Sequence, residues 1–206
     1  MKDTLMARLT PLSPEELAKI TEVFQVRNRS IADVPNSVRT LALTPHILAP
    51  LLDLWQAVMY EGEVDLGLKW LVGHIASHAH GCRYCMAHTA HGASRSNVPE
   101  DKVKAIWEFN SSPLFSEAER AALELSMAAA VVPNAATDEH FESLKIYFSE
   151  PQIAEILAVV SLYGFYNRWN DTVATFLETD SRTYAETQLA PLGWDVGAHG
   201  EKGSSM

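Results

Sequence analysis

Apolar residues recur at helical spacing over most of this chain, and no stretch alternates as a half-buried strand would. The clearest pattern is Leu68, Leu71, Val72, Ile75 and Ala79, which predicts a helix from Leu66 to about His80. Gly81 breaks it, and a second helix opens at Cys82 and runs to about Ala93. Ser13-Pro14-Glu15-Glu16 joins an N-cap, a proline at the first helical position and acidic first-turn residues, opening a helix to about Gln25. Ser37 is placed to cap a helix with Val38, Leu41 and Ala42 on its apolar face. Pro45 and Pro50 then predict a short helix followed by a longer one from about Pro50 to Tyr60, with Glu61-Gly62-Glu63 as a turn.

Further along, Pro99-Glu100-Asp101 starts a helix carrying Val103, Ile106 and Trp107. Ser116 and Glu119 form a capping box for a helix to about Val132, and Thr137-Asp138-Glu139 caps the next. Ser149-Glu150-Pro151 opens the last long helix, Gln152 to about Thr175, which is apolar nearly all round and is expected to be central. From Thr179 the chain turns polar and Gly-rich apart from Leu189, Leu192 and Trp194, an island expected to dock on the body or on a neighbouring subunit. Residues 200–206 are expected to be mobile. The reading is an all-α protein: one compact helical domain over 1–178, and a polar, partly docked tail over 179–206.

Composition narrows the function. At 206 residues the chain supports one well-buried core rather than two full domains. A formal net charge of -10 with no basic run argues against nucleic acid and against an anionic membrane surface. The longest apolar run, Ile156 to Tyr166, is about half of what a membrane-spanning helix needs. The polar N-terminus has no apolar signal core, so the expected location is cytoplasmic.

The chemistry concentrates at Cys82-Arg83-Tyr84-Cys85, the only two cysteines in the chain. In a reducing compartment such a pair is catalytic or metal-binding more often than structural. At a helix start, the first-turn amides and Arg83 can support a thiolate. His88, three residues after Cys85, lies one turn on along the same face, where it can take the thiol proton or face the thiolate as imidazolium. Attack on a peroxide would give a sulfenic acid at one cysteine, which the other resolves to a disulfide, with no bound cofactor.

Cys82, Cys85, His88 and His91 also make a candidate zinc set. On a helix, however, successive steps of three turn by about 60°, so the four residues span about half the circumference and cannot converge on one ion. His78 or His80 would have to complete such a site, and no metal is expected.

These residues carry a resemblance. Ala76-Ser77-His78-Ala79-His80-Gly81 followed by Cys82-Arg-Tyr-Cys85-Met-Ala-His88 resembles the carboxymuconolactone decarboxylase family, in its alkylhydroperoxidase D-like branch. Phe115-Ser-Glu-Ala-Glu-Arg-Ala-Ala-Leu123 is a second match, and Leu162-Tyr-Gly-Phe-Tyr-Asn-Arg-Trp-Asn-Asp171 is similar to the closing helix of peroxidase-related members. The resemblance covers about residues 37–178. It implies an all-helical fold assembling into dimers, trimers or hexamers, with the site near a subunit interface. It also implies peroxiredoxin-type thiol peroxidase activity, in which Cys85 attacks and Cys82 resolves, with a thioredoxin-like or other dithiol reductant. Thioredoxin-like logic would instead make Cys82 the nucleophile.

Two positions depart from the family pattern. The proton-relay glutamate, twelve residues before the first cysteine, is Trp70 here; the usual histidine position is Thr89, with His88 one place earlier. His74 and His78 are candidate substitutes for the missing acid. The branch that names the family acts on a lactone acid without a Cys pair, and the intact pair points away from it.

Other polar positions read as structural. Asn167, Arg168, Asn170 and Asp171 interrupt an apolar helix and are expected to tie it to a neighbour or line the pocket. Trp55, Met59 and Tyr60 suit core or interface, and His46, His140 and His199 carry no readable signal. The expected function is a thiol-dependent peroxidase or disulfide oxidoreductase acting on a small hydroperoxide through Cys82, Cys85 and His88. The alternative is a non-catalytic helical oligomer with a redox-sensing or metal-binding pair.

Overall fold

The computed structural model describes residues 7–20 and 34–200, and these are helical or irregular with no strand. The expected continuation of the first helix to Gln25 and the last six residues lie outside the described residues. Among the described residues ten α-helices follow in order: α1 Pro14–Ala18, α2 Asn36–Leu41, α3 Pro45–Tyr60, α4 Leu66–His80, α5 Arg83–Arg95, α6 Glu100–Lys104, α7 Glu117–Ala130, α8 Asp138–Lys145, α9 Glu150–Val173 and α10 Thr179–Gln188.

Most boundaries follow local chemistry. The capping box predicted at Ser116 forms, and the helix starts expected at Ser13 and Ser149 prove to be capping boxes too. Asp65 caps α4 by accepting the Leu68 N–H at 3.1 Å, so it is more than a solvated turn residue. Gly81, at φ 90°, ends α4 in the left-handed conformation that glycine tolerates best.

Three expectations need correction. Pro50 does not split α3; Pro45 takes the first helical position, and Pro50 and His46 lie on the exposed face, where water can take the carbonyl that the missing N–H leaves. Ser37 is inside α2 rather than its cap, because the helix starts two residues earlier, after Pro35, and its N–H goes to the Tyr84 hydroxyl at 3.2 Å. The most enclosed helix is α4, buried without interruption from Gly67 to Ser77 and packed by α5, α7 and α9. α9 packs against α4 too but leaves an outward stripe at Ser161 and Phe165.

One ion pair joins the inner helix to α9. Lys69, 1% exposed, meets Glu155 at 3.0 Å and donates to the Glu61 carbonyl. Glu155 also accepts the N–H groups of Glu63 at 2.8 Å and Val64 at 3.0 Å, which fixes the turn between α3 and α4. Burial raises this carboxyl, but those N–H groups and Lys69 more than offset it and hold it below the usual range. Glu155→Ala should therefore lower the unfolding free energy by about 3 kcal/mol, because it leaves a buried ammonium uncompensated. Urea denaturation against Glu155→Gln checks it, the amide keeping part of the turn.

Candidate active site

The reversal at Gly81 sets Cys82 as the N-cap of α5, with its sulfur accepting the Cys85 N–H at 3.4 Å. Both thiols are free and buried. The Cys85 sulfur accepts the Asn170 Nδ2–H at 3.4 Å, so α9 places a donor where negative charge would develop. Cys85 opens on a cavity of about 450 Å³ whose aromatic walls are Trp55, Tyr60, Trp70, Tyr84, Tyr163 and Tyr166. The Trp70 indole lies flat on α5 at Gly92, where even a Cβ would come within 2.6 Å of the ring. Trp70 Nε1 and Asn170 Oδ1, both buried at this cavity, have no hydrogen-bond partner among the described residues.

His88 lines the same cavity, and its Nε2 donates to Glu178 Oε2 at 2.6 Å. Glu178, the N-cap residue of α10, also accepts the Tyr84 O–H at 2.8 Å and the Asn36 N–H. Burial pushes its carboxyl up, yet His88 and these donors hold it below the usual carboxylate range. The Ser181 hydroxyl sits 3.3 Å from Nδ1 of both His88 and His91. An acid does stand beside His88: it is Glu178, a residue that sequence reasoning passed over. Its only local signal was its place just before Thr179-Asp180-Ser181.

Cys82 faces the opposite way. Its sulfur, an Asp171 oxygen and a His199 nitrogen lie within 4.8 Å of one another. His199 Nδ1 donates to the Thr175 carbonyl at 2.8 Å, and Nε2 is 3.2 Å from Asp171 Oδ1. Burial lowers this imidazole, but Asp171 and Cys82 more than offset that and raise it to about 9. Burial, and the neighbouring Cys85 thiol, push Cys82 well above the usual thiol range, with His199 pulling the other way. His199, set aside on sequence, is therefore buried against a cysteine.

The candidate substitutes for the family acid sit elsewhere. His74 is fully buried with Nδ1 2.9 Å from Thr89 Oγ1, and burial together with His78 lowers it to about 3. His78 packs against Trp107, and burial and Arg83 lower it to about 4. Both border a small cleft behind α5 with Met86 and Trp194, away from the Cys85 cavity. Arg83 turns to Asp195, at 3.5 Å. The four-residue zinc set does not assemble either: among the described residues the ligand-type atoms that converge are those of Cys82, Asp171 and His199. His199 with acceptors at both ring nitrogens is protonated, which suits proton transfer better than metal ligation.

Residues 45–127 match the Carboxymuconolactone decarboxylase family. The chain is 31% identical to a cysteine-to-alanine variant of the debrominase Bmp8 solved in complex with 2,3,4-tribromopyrrole, over 90% of this chain and 99% of that one, with a TM-score of 0.81. The chain belongs to the carboxymuconolactone decarboxylase family.

Within that family, an alkylhydroperoxidase D core described as an uncharacterized peroxidase-related protein from Ralstonia eutropha JMP134 shares the fold at 17% identity and a TM-score of 0.73, over 86% of this chain and 95% of that one. YnjA of Escherichia coli (strain K12), an uncharacterized protein, is 30% identical over 92 residues, which is 45% of this chain and half the length of YnjA. No helix among the described residues is long and apolar enough to cross a membrane.

Glu178 gives the site its pH dependence. A carboxyl held low in the folded state adds stability that is present above the unfolded value, about 4.3, and is lost as pH falls through the folded one. Glu178→Gln should cost about 1–3 kcal/mol at pH 7 and flatten the acid decline, measured by denaturant midpoints from pH 7 downwards.

Proposed function

We propose that this protein is a thiol-dependent reductase of the alkylhydroperoxidase D-like kind, which passes two electrons from the Cys82/Cys85 dithiol to a small electrophile bound at Cys85. The observation that carries the reading is the Cys85 sulfur on an aromatic-walled cavity, with His88 and Glu178 in the same wall and Cys82 beside it at the helix start. A cavity of this size takes a small organic molecule.

With a hydroperoxide, the Cys85 thiolate attacks the terminal oxygen and the O–O bond breaks. The alcohol leaves with a proton from His88, and Cys85 becomes a sulfenic acid. Cys82 attacks that sulfur, water leaves, and the disulfide forms. An external dithiol returns both electrons. Cys82, Cys85 and His88 are the working groups in this scheme, and Glu178 orients His88 through its hydrogen bond.

A second acceptor is favoured by a specific observation: six aromatic rings line the cavity, and the debrominase Bmp8 is similar over nearly its whole length. With a halogenated aromatic ring, Cys85 takes the halogen, the ring carbon takes a proton from His88, and Cys82 displaces halide as the disulfide forms. The unpartnered Trp70 N–H and Asn170 carbonyl supply a donor and an acceptor for a ring that carries polar atoms.

The reduced protein, mixed anaerobically with one equivalent of cumene hydroperoxide or of a bromopyrrole, should lose two thiols per chain and recover them with dithiothreitol. Bromide release marks the second acceptor. Cys85→Ser should abolish both reactions. Thiols that persist against both compounds would favour the non-catalytic reading.

A further inference from the structure

A dithiol that becomes a disulfide gives up two protons as well as two electrons, so each sulfur needs a way to lose its own. His88 and Glu178 stand in the cavity with Cys85. Cys82 is sealed from that cavity with no exposed surface, and its acid–base neighbours are different groups on different elements. We propose that Asp171 and His199 form a second relay dedicated to Cys82: Asp171 accepts the thiol proton and His199, as imidazolium, faces the thiolate left behind. The proposal rests on the Cys pair being the redox centre.

Five contacts support it. His199 is 3% exposed and held from both sides, Nδ1 donating to the Thr175 carbonyl at 2.8 Å and Nε2 to Asp171 Oδ1 at 3.2 Å. With both nitrogens donating, the ring carries its charge. The segment that delivers it is anchored at both ends. Its own carbonyl accepts the Leu177 N–H at 2.9 Å, and Trp194 Nε1 donates to the Arg83 carbonyl at 3.2 Å, at the first turn of the Cys helix. Asp171 is about one-third exposed, and its other oxygen is 3.7 Å from His80 Nε2, itself one-fifth exposed. The proton therefore has a path from Cys82 through Asp171 to His80 and solvent, on the side away from the substrate.

The charged and titratable groups facing His199 are Asp171 from α9 and Cys82 at the start of α5, with the Tyr84 ring 5.8 Å away and His80 of α4 reaching it only through Asp171. In the relay, the Cys82 S–H bond breaks and its proton passes to Asp171. The Cys82 lone pair forms the S–S bond as the bond between Cys85 and its leaving group breaks, and that group departs with the electron pair of the broken bond and takes up a proton. In the reverse direction an incoming thiolate breaks the disulfide at Cys85, and Cys82 leaves as a thiolate already facing an imidazolium.

Diamide, a two-electron oxidant of dithiols in general, separates this inference from the proposed substrate. Cys85 adds to diamide first, and Cys82 then displaces the hydrazine to close the disulfide. Rapid-quench mass spectrometry reads the adduct and the disulfide separately. In the wild type the adduct should stay low and the second step should change little between pH 6 and 9.

In His199→Gln and Asp171→Asn the adduct should accumulate, with the second step slower by about a hundredfold at pH 7 and rising about tenfold per pH unit as free thiolate becomes limiting. Circular dichroism identifies a variant that fails to fold, and the other then carries the readout. A second step within about twofold of wild type across that range, in either folded variant, would overturn the relay. So would one equivalent of Zn²⁺ that survives dialysis and blocks diamide oxidation, since the three groups would then be ligands. Oxidation by diamide with no response to hydroperoxide or bromopyrrole would sink the proposed function and leave the relay standing.

Discussion

The Glu178 carboxylate is the contact on which the site depends. It is a partly buried charge with donors from three directions: the Asn36 N–H at the start of α2, the Tyr84 hydroxyl and the His88 ring on α5. Removing a carboxylate from water is costly unless such donors replace it, and here each donor belongs to a surface that must meet the others. Satisfying the acid therefore fixes where the Cys helix sits, where α10 begins and how wide the cavity opens. Tyr84 is drawn in further, because its oxygen also accepts the Ser37 N–H.

Legibility in the sequence tracks the range of the interaction. Ser13, Ser116, Ser149 and Gly81 were readable because a cap or a left-handed turn is decided within about four residues. Pro50 misled because a proline penalty assumes a buried carbonyl, and this one lies on an exposed face. α10 escaped notice because its buried face is made of Ser181 and Ala185, too small and too polar to register as an apolar stripe. Cys82, Cys85 and His88 could be named together because one helix carries them. Glu178 and His199 could not, since His88 and Glu178 are 90 residues apart and no local pattern links them.

Trp70 shows how one substitution redirects a site. In place of an acid there is an indole that needs Gly92 opposite it to lie flat. The charge for His88 then comes from the other side of the cavity, and the vacated wall becomes aromatic. The acid beside His88 thus stands on α10, while the position expected to carry one adds an aromatic ring to the cavity wall.

The late position of Glu178 and His199 has a consequence for how the protein is made. Synthesis delivers the Cys helix long before α10 and the segment behind it, and chains fold from the N-terminal end as they emerge. While the nascent chain is still being extended, the thiols exist without either of their acid–base partners. They are also without the walls that those partners hold in place. The setting that the folded protein gives Cys82, buried beside Asp171 and His199, thus exists only once the chain has been extended past residue 199.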